Sequence, residues 1–219
     1  MSKKIYSIIL GNNESLFGAV NDAKIIYNIL FNFYKNKKWE KPYLLLNNDV
    51  NLLKVTEIIL KFNNPEIILI YFSGHSNNYG YLNFYEQYIS NYLFFKKIDN
   101  ILKNSINLYI IIDSCYSEKF TKINKTIFKN FNSIYFLVSS HSNQTSKEFI
   151  ITYNESLFEN IPLKKNNKKI PISIFTYYFI NYFKNIDNID DIEKIIIKKN
   201  IWNIINKKYN QLIYFYKYI

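Results

Sequence analysis

Two apolar runs that stop abruptly in small polar residues constrain what this chain can fold into more than any other feature. The first, Ile67-Ile68-Leu69-Ile70-Tyr71-Phe72, stops at Ser73-Gly74-His75-Ser76. The second, Leu108-Tyr109-Ile110-Ile111-Ile112, stops at Asp113-Ser114-Cys115-Tyr116-Ser117. A short continuous run rich in Ile reads as a strand buried on both faces of a parallel sheet. In open α/β sheets ligands bind outside the carboxyl ends of the strands. The only Cys of the chain and one of its two His are thereby placed on one rim. A thiol and an imidazole that meet there make a nucleophile and its base. The plainer alternative is an inert buried Cys and a capping His.

The rest of the chain supplies alternating partners. Lys4–Leu10 reads as a first strand. Ala19–Tyr34 carries Ala23, Ile26, Tyr27, Leu30, Phe33 and Tyr34 at helical spacing. Pro42–Leu46 is a short strand, and Asp49 is the predicted cap of a helix through Lys61. Tyr79–Phe84 suggests a small hairpin or lid, and Ser90–Lys103 a helix. After the Cys strand, a helical stretch is expected over Glu118–Phe131 and a buried strand over Ser133–Ser139. A helix opening at Pro171 or Ser173 and running through Phe183, a mostly buried helix over Ile189–Lys208, and a final edge strand in Gln211–Tyr218 complete the reading. Strands alternating with helices predict an α/β fold, a mostly parallel central sheet with helices on both faces.

The two polar tips also carry a family resemblance. Tyr71-Phe72-Ser73-Gly74-His75 and Asp113-Ser114-Cys115-Tyr116-Ser117 resemble the catalytic dyad segments of caspase-like cysteine peptidases (peptidase family C14), closest to the metacaspase branch, which writes them Y-S-G-H-G and D-S-C-H-S-G. Leu16-Phe17-Gly18-Ala19-Val20-Asn21-Asp22-Ala23 resembles the family's L-x-G-C-x-N-D-A. Val138-Ser139-Ser140 with Gln144-Thr145-Ser146 resembles the strand and loop after the catalytic Cys, and Ile174-Phe175-Thr176-Tyr177-Tyr178 the G-x-F-T segment. The five matches fall in the family's order and span nearly the whole chain.

The resemblance implies a caspase-like (caspase-hemoglobinase) fold in one peptidase domain over residues 1–219. Residues 1–160 would correspond to the large-subunit region and 170–219 to the small-subunit region. It implies His75 and Cys115 as the dyad, the backbone amides of Ser76 and Cys115 as oxyanion donors, and Asp22, Ser73 and Asp113 as the pocket for a basic P1 side chain. The expected partner is therefore a protein or peptide substrate with Lys or Arg at P1.

Three positions depart from the family pattern. Ser76 stands where Gly is usual, Tyr116 where His is usual, and Glu118 where Gly is usual. None removes a catalytic group, but the Cβ of Ser76 can crowd a substrate. A catalytically weak homologue that works by binding or regulation is accordingly the alternative reading.

The residues themselves agree with parts of this. A carboxylate beside a thiol raises the thiol pKa, so Asp113 needs a purpose other than activating Cys115. Asp22 also has the simpler role of an acid near a helix N-terminus. His141, past the Ser139-Ser140 strand end, reads as a loop residue. Calcium takes about six to eight oxygen ligands, usually several of them carboxylates. The stretch after Cys115 contains no Asp, and the one after His75 offers only Glu86 and then Asp99. No metal, cofactor or calcium activation is expected. Lys164-Lys165-Asn166-Asn167-Lys168-Lys169 reads as an exposed loop where the two subunit regions would join, and as a self-cleavage site for an enzyme that prefers basic P1.

Bulk properties exclude several classes. An apolar fraction of 48% excludes disorder. No apolar run reaches the ~20 residues of a membrane span, and Ile5–Leu10 is too short for a signal peptide. A single Cys permits no internal disulfide and suits a reducing, cytoplasmic setting. The net charge of +11 invites nucleic acid, but every one of the 28 basic residues is Lys, whereas Arg is the usual choice for bidentate phosphate and base contacts. No specific nucleic-acid partner is expected, and nonspecific polyanion binding stays open. The oligomeric state is not legible.

Overall fold

The computed structural model describes residues 4–14, 16–34, 39–124, 128–152, 169–183 and 205–218. The two Ile-rich runs form adjacent parallel strands at its centre, β3 (Pro65–Ser73) and β6 (Ile106–Asp113). Around them lie β1 (Lys4–Gly11), β2 (Tyr43–Leu46), β7 (Phe131–Val138) and β10 (Tyr214–Tyr218), in the spatial order β10-β7-β6-β3-β1-β2. Every pairing is parallel except that of β10 on the β7 edge. The fold is α/β with a mostly parallel six-stranded sheet. Two smaller antiparallel pairs flank it: β4 (Leu82–Phe84) with β5 (Gln87–Ile89), and β8 (Glu148–Thr152) with β9 (Lys169–Ser173).

Side-chain alternation assigns each strand residue to one of two cores. On one face Ile9, Leu69, Tyr71 and Ile111 meet Ala23, Ile26 and Leu30 of α1 (Ala19–Phe33), and Phe175 and Phe179 of α4 (Ile174–Phe183). On the other, Ile8, Ile70, Phe72 and Ile112 meet Val55, Ile58 and Ile59 of α2 (Leu52–Leu60), and Phe94, Phe95 and Ile98 of α3 (Asn91–Ile101). The helices are spaced for this. The buried Ala19, Ala23, Ile26 and Leu30 of α1 recur every three or four residues. Capping side chains start α2 and α3: Asn51 accepts from the Lys54 amide at 2.8 Å and Ser90 from the Leu93 amide at 3.2 Å.

Several expectations are corrected. Asn51, not Asp49, caps α2, because Asn47–Asp49 forms a 3-10 turn with Asn47 at positive φ. The hairpin lies at 82–89, later than Tyr79–Phe84. Of the helix expected over Glu118–Phe131, the described residues form only a 3-10 turn, Ser117–Thr121. Thr121 donates its hydroxyl back to the Glu118 carbonyl at 2.8 Å, a local bond that competes with helix continuation. Phe131 already belongs to β7. Pro171 lies in β9 and α4 begins at Ile174, so the helix does not open at Pro171. Lys169 is not in a loop but opens β9; Lys164, Lys165 and Lys168 lie outside the described residues, as does most of Ile189–Lys208, of which the described residues 205–208 are helical. Among the described residues no helix is long and apolar enough to cross a membrane.

Phe95 is fully buried, with ring centroids of Phe94, Phe120, Phe128, Phe131 and Phe136 all within 6.1 Å. Phe95→Ala leaves a cavity in this core and is expected to cost about 3–5 kcal/mol of stability, read by urea titration. A loss under about 1 kcal/mol would show that the aromatic cluster does not anchor this face.

Candidate active site

The sheet order reverses at β1: the chain goes to β2 on one side and returns to β3 on the other. Such a switch opens a crevice at the carboxyl ends of the strands. Across β3 and β6, Ser73 pairs with Asp113, and the Gly74 amide donates to the Asp113 carbonyl at 3.2 Å. His75 and Cys115 each follow two residues later, on the loops that leave this rim. Both are half-buried.

The segment after Cys115 is held by serine hydroxyls. Ser114 donates its amide to Ser139 Oγ at 3.2 Å, Ser117 its amide to Ser140 Oγ at 3.0 Å, and Ser140 its hydroxyl to the Ser114 carbonyl at 2.8 Å. The Tyr116 amide donates to the Gln144 carbonyl at 2.9 Å. Tyr116 itself takes a left-handed backbone, φ 52°, which is uncommon for a bulky residue and turns the chain sharply just past the thiol.

On the His side, Ser76 and Leu82 form an isolated antiparallel bridge. Its hydrogen bonds run from the Asn83 amide to the His75 carbonyl (2.9 Å) and from the Asn77 amide to the Tyr81 carbonyl (3.1 Å). In that arrangement the residue between them exchanges no ladder bond, so the Ser76 amide remains available. The Ser76 hydroxyl donates to the Cys115 carbonyl and ties the two tips together. The side chain that departs from the family pattern is therefore turned onto the Cys loop.

Beneath this rim lie two carboxylates, 1% and 3% exposed. Asp22, from α1, accepts from Ser73 Oγ and from the Ser173 amide, each at 3.0 Å. Asp113 accepts from Ser146 Oγ and Thr176 Oγ1, each at 2.9 Å, and from Ser173 Oγ. Burial pushes the Asp22 carboxyl well above its ordinary value, and the neighbouring charge of Asp113 adds to this. Burial raises Asp113 as well, against the hydrogen bonds it accepts. Neither carboxylate is ion-paired with Lys or His among the described residues. Asp22 is thus not a simple helix-terminal acid. The site brings together Asp22, Ser73 and Asp113, which the sequence resemblance had grouped.

Ser173, Thr176, Ser146 and Glu148 complete the cluster; none was expected in the site, although Ser146 and Thr176 lie in segments that carry the resemblance. Ser173 bonds both acids, yet in the sequence it is only the Ser before the Ile174-Phe175-Thr176 segment. Glu148 accepts from the Gly18 amide at 3.0 Å. A Cβ on Gly18 would stand 2.7 Å from that carboxylate, so a larger residue would have to displace the Glu148 side chain. No local sequence pattern marks Glu148. Burial pushes the Cys115 thiol up from its ordinary value, with the backbone amide of Ser146 working against it and Asp113 and Glu148 pushing the same way as burial.

His141 does not join this site. It lies 3.3 Å from the Glu118 carboxylate, which also accepts from the Ser142 amide at 2.8 Å and from the Tyr216 hydroxyl. Among the described residues no group of three or more His, Cys, Asp or Glu is placed to hold a metal ion. No protein-family model matches the chain, and no curated protein matches it.

A carboxyl whose folded pKa exceeds its unfolded value of about 3.9 stabilises the fold below that value, and the contribution is lost as pH rises through the folded pKa. Ionised Asp22 therefore weakens the fold at neutral pH. Asp22→Asn keeps an oxygen for the Ser173 amide and an NH₂ for Ser73 Oγ. It is expected to exceed the wild type in stability at pH 7 by on the order of 1 kcal/mol, with the difference vanishing near pH 3. Urea titrations at both pH values test this; a variant less stable at pH 7 contradicts it.

Proposed function

We propose that this chain is a cysteine endopeptidase of caspase-like fold that cleaves after Lys or Arg. The observation that carries the reading is the pairing of β3 with β6. It brings the loops that carry the lone Cys and the His to one rim, above two buried carboxylates with no ion-pair partner among the described residues. Further support comes from the five sequence segments that resemble caspase-like peptidases in order.

In this reading His75 takes the proton of Cys115 and later delivers it to the leaving amine. The sulfur attacks the scissile carbonyl, and the amides of Ser76 and Cys115 receive the oxyanion. A basic P1 side chain enters between Asp22 and Asp113 and supplies the positive charge they lack. This has a second effect. Asp113 adds to the burial that holds the thiol up, so a bound cation relieves part of what opposes thiolate formation. The substrate then helps to activate its own nucleophile.

The raised thiol also favours a second reading, in which the chain is a weak catalyst that binds basic segments as a regulator. Turnover separates the two. Cys115→Ala is expected to abolish cleavage of Arg-P1 peptides, and His75→Ala to reduce it by several decades. A Cys115→Ala protein that retains peptidase activity would end the endopeptidase reading. Wild type that binds Arg peptides without cleaving them would favour the regulator.

Pocket specificity is tested by a positional P1 library. Arg is expected to exceed Lys, because it can pair bidentately with a carboxylate. Asp22→Ala or Asp113→Ala is expected to lower kcat/KM on Arg substrates by about 2–5 kcal/mol. Cleavage after Asp, or full activity of both variants, contradicts the pocket.

Activity is expected without added calcium and unchanged by chelator, since no described acidic cluster offers the ligand set calcium needs. Loss of activity on chelation, restored by calcium, would overturn this.

A further inference from the structure

The acid pocket lies at one edge of the rim, on the α1 and α4 side. A different surface lies at the other edge, on the α3 side. There Tyr79 is 70% exposed, and Tyr81 and Tyr92 are exposed too. The rings of Tyr79 and Tyr81 lie 6.0 Å apart. Lys119 donates to the Asn78 carbonyl at 2.6 Å and stands 5.4 Å over the ring of Tyr116. Gly80 makes this approach possible: its φ is 80°, and a Cβ there would stand 2.5 Å from that of Lys119. Asn91 donates to the carbonyls of Phe120 at 3.2 Å and Lys122 at 2.8 Å. This draws the start of α3 onto the same turn, with Lys96 5.4 Å over the ring of Tyr92.

Three separate segments thus form one strip of tyrosines and lysines beginning at Tyr116, next to the thiol. The nearby acids are turned elsewhere. Glu118 faces Tyr216, Ser142 and His141. Asp99 is buried against the amides of Lys129 and Asn130. Glu86 sits in the turn between β4 and β5, beside Tyr85. A lysine held over a tyrosine ring keeps donors for a further anion.

The strip also has a direction relative to the chemistry. His75 must protonate the leaving amine, and the segment bonded to the backbone at 75 and 77 is Tyr81–Asn83. The residues after the scissile bond therefore pass from His75 toward the strip.

Resting on the endopeptidase reading above, we propose that this tyrosine–lysine strip is the subsite for residues that follow the cleaved bond, and that it takes acidic side chains. The preferred substrate is a protein segment with a basic residue before the bond and Asp or Glu after it. Tyrosines with lysines also suit stacked single-stranded nucleic acid. A peptide is favoured because the strip is continuous with Cys115 and follows the direction in which the leaving segment must run.

The test uses the full chain and quenched peptides that share Arg at P1 and differ only in the following residues: Glu-Glu, Ala-Ala or Lys-Lys. An Arg aminocoumarin substrate, which has no following residues, reports the endopeptidase reading alone. Glu-Glu is expected to exceed Ala-Ala in kcat/KM by roughly five- to tenfold, with Lys-Lys below both and the spread shrinking in high salt. In Lys96→Glu and in Lys119→Glu, with each peptide rate divided by that variant's aminocoumarin rate, the acidic preference should fall toward one.

Aminocoumarin cleavage with equal rates for the three peptides would overturn the strip and leave the endopeptidase. A preference kept by both variants would overturn the strip as well. Absence of cleavage of every substrate would overturn both. An anisotropy measurement with Cys115→Ala supplies the remaining arm. Binding of an oligothymidylate that exceeds binding of the Glu-Glu peptide would assign the strip to nucleic acid instead.

Discussion

The register between β3 and β6 is the constraint on which the rest of the site depends. Ser73 lies opposite Asp113, and the residues of the proposed site follow at fixed offsets. One residue on, the backbones are still bonded. Two residues on come His75 and Cys115, on loops tied together by the Ser76 hydroxyl. Since side chains alternate, the same register turns Ser73 and Asp113 toward α1 and β9, where they meet Asp22 and Ser173. A slip of one residue would exchange the two faces of the strand, burying the polar tips in the aromatic core and leaving Ile112 against the acids.

That register is secured by burial on both faces. Ile70, Phe72, Ile110 and Ile112 fill one core, while Leu69, Tyr71 and Ile111 fill the other. The cost of the site is carried by this packing. Two neighbouring buried carboxylates, with no ion-paired Lys or His among the described residues, oppose folding at neutral pH. Serine and threonine hydroxyls offset part of that cost and leave the negative charge for a basic group to neutralise.

How much was legible in the sequence follows from how local each signal is. The strands and α1 were readable because continuous or 3.6-residue patterns arise from one segment's own burial. The placing of the His75 and Cys115 loops at the ends of adjacent strands was readable because both apolar runs end alike. The helix expected over Glu118–Phe131 failed because Phe120 and Phe128 enter the aromatic core as separate plugs, spaced by chance as a helix would be. Asp49 was mistaken for the cap because Asn47–Asp49 adds a 3-10 turn before α2. Ser173 and Glu148 could not be found from sequence alone. Each acquires its role through a partner more than 55 residues away, Ser173 through Asp22 and Asp113 and Glu148 through Gly18. The tyrosine–lysine strip is likewise assembled from segments around residues 79, 92 and 119, none of which carries a motif.

The central claim is that a single thiol and a cation-seeking pocket act together. The most direct measurement is active-site labelling with two peptidyl ketone electrophiles that differ only at P1, one Arg and one Asp, followed by mass spectrometry. With one Cys in the chain, a thiol adduct has one possible address. The account predicts one equivalent of the Arg probe on Cys115, slowed strongly in Asp113→Ala, and negligible labelling by the Asp probe. Equal labelling by both probes, or none by the Arg probe, would contradict it.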